Sequence, residues 1–475
     1  MTSLMDVSWL EAVAVILYSV VALTAATHAL LNKRDPRSAW GWIAVCWLFP
    51  LAGALLYYLF GINRIHMRAR RMVGPDAMPP EPFSDGALPV PEGAHPGELQ
   101  ELIRIGSAMT RRRLTTGNVI EPLFDGDAAY PAMLQGIQMA RKTVHLASYI
   151  FHDDETGEEF ARALAEAQGR GVKVRVLLDG VADVFYRPRA SRLLKRHGVQ
   201  PSLFLPPRAW PPMLHINLRN HRKLLIVDGE TGFTGGMNIG DGHRQQRGGG
   251  IRDVHFRLNG PVVTQLEQVF LEDWRLASGE RVQPSALAAG AAGSALARVI
   301  TDGPNEELDR LLMILLGALA TAHDRVWIMT PYLVPPPALL SALQSAALRG
   351  VDVCVLLPRR SDQVWMDGAT RHLLWQLLQH QVRVHWRPPP FAHTKLLIVD
   401  DYYVHFGSAN MDTRSLRLNF EAVVEVYDRA LAATLVRHFE TERAKSRAVS
   451  LEQLKRRSLA ARLRDAFFWL FTPYL

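Results

Sequence analysis

Two segments of the chain carry side chains suited to phosphate chemistry. His221 to Asn238 reads H-R-K-L-L-I-V-D-G-E-T-G-F-T-G-G-M-N, and His393 to Asn410 reads H-T-K-L-L-I-V-D-D-Y-Y-V-H-F-G-S-A-N. His221, Lys223, Asp228, Gly235 and Asn238 map onto His393, Lys395, Asp400, Gly407 and Asn410 at one constant spacing. A single H-x-K-x4-D arises by chance; two in one register, each followed by a glycine turn and an asparagine, do not. One histidine can attack phosphorus while the other protonates the departing oxygen. A lysine from each copy neutralises charge on the phosphoryl oxygens as a point charge. Such a set suits phosphoryl chemistry that uses neither a metal nor a cofactor.

The elements that must hold these groups follow from the same residues. Leu224 to Val227 is an apolar run closed by an Asp-Gly turn signal, which predicts a short buried strand. Side chains alternate along a strand, so His221 and Lys223 share a face and can act together. Asp228 falls on the other face, where it fixes the turn. Gly235 and Gly236, with Gly407 and Ser408 in the second copy, allow a tight turn or a close approach of backbone to ligand. A strand-turn-strand hairpin would return Asn238 to the side of His221. The bland alternative is a duplicated sheet with core histidines and snorkelling lysines; a lysine in a buried strand is costly unless paired, which argues against it.

Strands and helices alternate twice. T-V-H-L-A-S-Y-I-F, F-A-R-A-L-A-E-A and G-V-K-V-R-V-L-L-D-G are followed, much later, by R-V-W-I-M-T-P-Y-L-V, A-L-L-S-A-L-Q-S-A-A-L and G-V-D-V-C-V-L-L-P-R. This predicts an α/β fold of two pseudo-symmetric halves, with mainly parallel sheets flanked by helices and one active site between them. Tyr149, Phe151, Asp153 and Tyr332 sit at strand ends and could line its entrance, or pack in the core.

The duplicated motif resembles that of the phospholipase D superfamily, H-x-K-x4-D followed by G-[GS]-x-N. The pattern R-D-P-R-S-A-W…P-L-A-G…Y-Y-L-F-G near the N-terminus further resembles the bacterial cardiolipin synthases. The resemblance implies a catalytic set of His221, Lys223, Asp228, His393, Lys395 and Asp400, with Asn238, Asn410 and Ser408 supporting the phosphate. It also implies that Asp253 in R-D-V-H-F-R and Glu421 in L-N-F-E-A-V hold the active histidines; the sequence does not say which serves which. The chain departs from the family at Ile251, where a tryptophan is usual. The implied reaction joins two phosphatidylglycerol molecules into cardiolipin and glycerol through a phosphohistidine. The resemblance favours His221 as nucleophile. Arg222 beside it could draw in a lipid phosphate, and Glu421, if paired with His393, would make that residue the better acid. A hydrolytic phospholipase D, a membrane-bound phosphodiesterase or nuclease, and an inactive membrane scaffold remain open.

The rest of the chain bears on location. The net charge of +8 and a pI near 9.6 favour an anionic partner, nucleic acid or an acidic membrane surface. Trp9 to Leu31 and Ser38 to Asn63 are apolar, and each is long enough for a bilayer of roughly 30 Å, which needs about 20 residues. Residues 1–63 are therefore expected to form a transmembrane hairpin, with spans near 9–31 and 38–62. Arg64, Arg68, Arg70 and Arg71 favour a cytoplasmic catalytic part at the inner membrane, although Lys33, Arg34 and Arg37 in the turn oppose this. A Pro-rich linker is expected over 64–115, the first half over 116–290, the second over 291–445, and a basic-aromatic tail over 446–475. Arginines beside Phe467, Phe468, Trp469 and Phe471 give that tail the profile of an interfacial helix, with packing on the core as the alternative. A nuclease needs neither hairpin nor tail, so no nucleic-acid partner is expected. Cys46 and Cys354 are not expected to pair. No Walker A, zinc-spaced Cys/His cluster or G-x-S-x-G elbow occurs, and His372, His380 and His385 are too scattered to be ligands.

Overall fold

The computed structural model describes residues 9–33, 36–61, 96–110, 112–207, 218–285, 290–303 and 309–472. The chain divides into two units, Met1–Gly74 and Pro75–Leu475.

In the first unit, helix Trp9–Asn32 contains a stretch, Glu11–Asn32, long and apolar enough to cross a membrane. The second expected span is not one helix. Helix Pro36–Leu48 stops at Phe49, and Pro50–Leu56 begins a new one, followed by a π turn over Tyr57–Gly61. Pro50 has no N–H to continue the first helix and restricts Phe49 to extended backbone, which is where the break falls. The pieces pack through Ala29, Cys46 and Tyr57, and His28 Nδ1 lies 2.8 Å from the Tyr57 hydroxyl.

The second unit is built on one fifteen-stranded sheet. The first half contributes, from the centre outward, Thr115–Phe124, Val254–Asn259, Thr231–Gly235, Leu224–Val227, Thr143–Ser148, Lys173–Asp179 and Pro201–Phe204. The second half repeats this order with Ala295–Asp302, Glu421–Tyr427, Tyr403–Gly407, Leu396–Val399, Arg325–Met329, Asp352–Pro358 and Arg383–Arg387; Arg447–Ala448 closes the edge. Thr115–Phe124 and Ala295–Asp302 pair antiparallel and weld the halves together. Across this seam Phe256 stacks on Phe406 at 3.6 Å.

The two α/β halves thus match the sequence reading; within the fifteen-stranded sheet parallel pairing falls on the outer strands of each half. The motif strands pair antiparallel because three-residue turns join them: Val227 faces Thr231, and Val399 faces Tyr403. Parallel strands would need a long crossover, which occurs only where helices intervene.

The expected linker is also shorter than 64–115. Pro96–Thr110 is a helix, and its Leu102 joins the second-half core with Leu311, Ile314 and Leu315. Gly106 lies against the buried Arg298 guanidinium, where a Cβ would collide with Nη2. Arg298 is fully buried and pairs with Glu425, and its Nη1 donates to Ser107 at 2.7 Å. The proline-rich residues 73–95 lie outside the described ones.

Candidate active site

The H-x-K segments lead into the motif strands as extended backbone pinned to the opposite half. His221 N–H donates to Phe420 O at 3.0 Å, and Phe420 N–H to Arg219 O at 2.8 Å. In the other copy, Phe391–Ala392 pairs in parallel with Ile251–Arg252, and His393 N–H donates to Arg252 O at 2.8 Å. Glu421 follows Phe420, and Asp253 follows Arg252. Each histidine therefore meets the carboxylate of the other half.

That crossing is the central geometry. Both oxygens of Glu421 lie 3.0 Å from His221 Nδ1, and Asp253 Oδ2 lies 3.0 Å from His393 Nδ1. A carboxylate only accepts, so each Nδ1 carries the hydrogen and each Nε2 is the basic nitrogen. The conditional pairing of Glu421 with His393 is thereby corrected: Glu421 serves His221. Lys223 Nζ donates to His221 O at 2.6 Å, and Lys395 Nζ to His393 O at 2.7 Å. Lys395 Nζ also lies 3.0 Å from His393 Nε2.

All six side chains are buried, and that sets their charge. Burial lowers His221 to about 4; the Glu421 carboxylate opposes this, and Lys223 reinforces it. His393 is held well below its ordinary value by burial and by Lys395, Lys223 and His221. Burial lowers Lys395 to about 8 and Lys223 well below its usual range. Burial would raise Glu421, but His221, Lys223 and the Ser408 hydroxyl together hold it at about 2. Mutual action of His221, Lys223, His393 and Lys395 places both motifs in one site.

The supporting residues divide. Ser408 Oγ donates to Glu421 and accepts from Ala422 N–H at 3.0 Å, so it fixes the carboxylate. Its counterpart is Gly236, where a Cβ would stand 2.6 Å from Asp253 Oδ2; the shorter carboxylate occupies that space. Asn238 Oδ1 accepts from Ile150 N–H at 3.2 Å, next to Tyr149, whose ring lies 4.9 Å from His221 and 5.2 Å from Lys223 Nζ. Asn410 is buried with its Oδ1 unpartnered.

Asp228 and Asp400 take the turn-fixing role. The Asp228 carboxylate accepts from the N–H groups of Arg141, Lys142 and Thr143 at 2.7–2.9 Å, and Asp400 accepts from Asp324 and Arg325 at 2.8 and 3.0 Å. Neither bonds to His221 or His393; both carboxylates tie down backbone N–H groups, which suits support of the hairpin behind the site.

Arg222 is not free to meet lipid. It is buried, with Nη1 2.7 Å from Asp273 Oδ1 and Nε donating to Glu421 O at 3.0 Å. Arg219, by contrast, is buried near the site with Nε and Nη1 lacking hydrogen-bond partners, and its nearest recorded carboxylate oxygen, on Asp179, is 3.9 Å from Nη1. Phe151 packs in the core, and Asp153 pairs with Arg196 at 3.0 Å on the surface. Tyr332 donates to Asp362. Cys46 and Cys354 are free. His243 escaped the sequence reading: it is buried, its Nδ1 is unpartnered, and its ring lies 6.2 Å from His393. In the repeat register its counterpart is Ser415, so duplication gave no signal for it.

The family model described as "Cardiolipin synthase, PLD-like domain" matches residues 133–274 and 315–443, more than half of the chain. The chain belongs to the PLD-like cardiolipin synthase family. A second model, "Phospholipase_D-nuclease N-terminal", matches residues 20–61. Among relatives, the "Major cardiolipin synthase ClsA" of Bacillus subtilis (strain 168) is 31% identical over 94% of this chain and 95% of its own. "Cardiolipin synthase A" of Pseudomonas entomophila (strain L48) is 32% identical over 92% of each. The crystal structure of phosphatidylserine synthase from Haemophilus influenzae Rd KW20 superposes with a TM-score of 0.61 over 80% of this chain and 100% of that one; at 15% identity it shares the fold. Membership in the PLD-like cardiolipin synthase family accords with the duplicated halves and with the apolar N-terminal helix.

Proposed function

We propose that the chain joins two phosphatidylglycerol molecules into cardiolipin and glycerol through a phosphohistidine on His221. The observation that carries the assignment is the difference between the two Nε2 atoms. His393 Nε2 is engaged by Lys395 at 3.0 Å, whereas no hydrogen bond to His221 Nε2 is recorded, and Nδ1 of that ring is held by Glu421. A neutral imidazole with a free Nε2 is a nucleophile; one that shares a proton with an ammonium is placed for acid–base work.

In the first step His221 Nε2 forms a bond to phosphorus, the bond from phosphorus to the headgroup glycerol breaks, and His393 Nε2 delivers a proton to the leaving oxygen. In the second step His393 takes the proton from a glycerol hydroxyl of another phosphatidylglycerol. That oxygen bonds to phosphorus, and the P–N bond breaks. Lys223, Lys395 and Arg219 hold the phosphoryl oxygens throughout. The anionic substrate raises the depressed pKa values of Lys223, Lys395 and His393, so their charged forms appear when phosphate arrives, while His221 attacks as the neutral imidazole.

The two apolar segments would form a hairpin that leaves the catalytic unit on the cytoplasmic side of the inner membrane; the arginines at 64, 68, 70 and 71 support this placement. The test is product analysis of the purified enzyme with labelled phosphatidylglycerol. Cardiolipin and glycerol in equal amounts are expected. Phosphatidic acid without cardiolipin would make the enzyme a hydrolase instead.

A further inference from the structure

Two segments leave the carboxyl ends of equivalent strands, Lys173–Asp179 and Asp352–Pro358, and both expose large apolar side chains. Phe185 and Tyr186 follow the first and are 72% and 41% exposed; Val364 and Trp365 follow the second and are 65% and 59% exposed. Arg187, Arg359 and Arg360 stand exposed beside them. Clustered exposure of this kind marks an interaction surface.

Both segments border the site. The Tyr186 ring lies 5.6 Å from His152, whose N–H donates to Ile239 O just past Asn238. Asp362, two residues before Val364, accepts from Tyr332, which clusters with Met366 and Phe391; the Phe391 ring lies 5.8 Å from His393. Helix Leu459–Trp469 lies alongside, with Phe468 5.7 Å from Trp365, and it extends the apolar surface through exposed Leu463, Phe467 and Leu470, with Arg462 and Arg464 between them. The two readings of the tail are therefore compatible: one face packs on the core and the other is open.

We propose that these segments are two lips that bed the mouth of the site in an anionic bilayer, with Phe185, Tyr186, Val364 and Trp365 entering the apolar boundary and Arg187, Arg359 and Arg360 meeting lipid phosphates. The inference rests on the phosphatidyl-transfer reading and specifies how its substrates arrive. Aromatic bodies ringed by arginine match the chemistry of that interface. A second copy of the chain fits poorly, since it would set arginines against arginines. With the lips embedded, a headgroup passes from the bilayer to the histidines without crossing bulk water, and the phosphohistidine meets a lipid hydroxyl before water.

The test uses the full-length protein in vesicles. Cys46 and Cys354 are buried, so a cysteine introduced by Phe185→Cys or Trp365→Cys takes a polarity-sensitive thiol label selectively. Leu348→Cys is the control: it is exposed, at the far end of helix Pro337–Leu348, away from the strand ends that form the mouth. Labels at 185 and 365 should be quenched by brominated acyl chains in phosphatidylglycerol vesicles, while the label at 348 is not. Phe185→Ser with Trp365→Ser should lose on the order of tenfold or more in turnover of bilayer phosphatidylglycerol, yet turn over monomeric short-chain phosphatidylglycerol normally. Labels that report water at all three positions would overturn the proposal. So would equal losses on bilayer and monomeric substrate, or quenching between protein copies that ignores the lipid. Bromolipid quenching without any product from phosphatidylglycerol would leave the lips in place and overturn the reaction instead.

Discussion

Glu421→Gln and Asp253→Asn test the crossed pairing, because each should damage a different step. Glu421 is fully buried and serves His221; its neighbours also include Ser408 and Asn419, whose Nδ2 donates at 3.2 Å. Glutamine keeps the volume but removes the carboxylate charge that His221 Nδ1 meets and that acts most strongly on Lys223, and it presents an N–H₂ where only an acceptor fits. Breaking a buried charge pair costs about 3–5 kcal/mol. At about 1.36 kcal/mol per tenfold, that is roughly 10²–10⁴ in rate if the whole effect falls on the transition state. The analogous change in a Ser-His-Asp triad costs about 10⁴. The assay is single-turnover quench-flow with phosphohistidine read directly. Glu421→Gln should slow formation of the intermediate whatever the leaving group, since the nucleophile itself is impaired. Asp253→Asn should slow it with a glycerol leaving group but not with p-nitrophenol, which departs without a proton; the phosphohistidine should then accumulate, because His393 must also activate the acceptor. Rescue of Glu421→Gln by the better leaving group, with none for Asp253→Asn, would exchange the two histidines and refute the assignment.

The kcat/KM profile of the free enzyme should fall below about pH 4, where His221 protonates, and above about pH 8, where Lys395 loses its charge. Lys395→Arg should remove the alkaline limb, and Lys395→Ala should cost about 10²–10³ in kcat; an unmoved limb in Lys395→Arg would show that another group titrates there. Thermal stability should fall as pH drops from 6.5 toward 4. His221, His255 and His438 are held near 4 and His243 and His405 near 3 by burial, so over that window the unfolded chain binds more protons, each worth up to about 1.36 kcal/mol per pH unit; a flat melting temperature between pH 6.5 and 4.5 would contradict the buried neutral histidines. Asp228→Ala should lower stability by about 1–3 kcal/mol through unpaired N–H groups at 141–143, with kcat of the folded enzyme kept; lost kcat at unchanged melting would return Asp228 to the chemistry. Activity should survive EDTA because Lys223 and Lys395 supply the positive charge, and loss in EDTA restored by Mg²⁺ would contradict that role.

What the sequence revealed was whatever the duplication repeated. His221, Lys223, Asn238 and their partners recur in register, and the apolar runs 224–227 and 396–399 form the expected strands. Where parallel pairing gives way to antiparallel was not legible, because hairpin turns and helical crossovers look alike when only strand composition is read. The break at Phe49 was legible in Pro50, but hydropathy averaged it away. Pairings between halves were not legible. Glu421 lies 200 residues from His221, and nothing local distinguishes it from Asp253 as that histidine's partner. The two local arguments for His221 as nucleophile fail in the structure, since Arg222 is committed to Asp273 and Glu421 to His221 itself; the resemblance is untouched. The proposal now stands on the free Nε2, which no sequence could display.

The crossing also explains why the two halves act as one. Half of the site alone would hold a histidine and lysine without the carboxylate that fixes the ring, and its seam strand, Thr115–Phe124 or Ala295–Asp302, would lose its partner on one side. Fusion in one chain does more than secure both parts: it lets the copies diverge. Glu421 reaches His221 from beside Ser408, whereas Asp253 reaches His393 over Gly236. Lys395 touches its histidine's Nε2, while Lys223 is recorded only against the backbone and the Tyr149 face. A symmetric pair would offer two equal nucleophiles competing for one phosphorus. Small differences in carboxylate length and lysine reach suffice to leave one imidazole open and the other proton-bound, which is the division of labour that a two-step transfer requires.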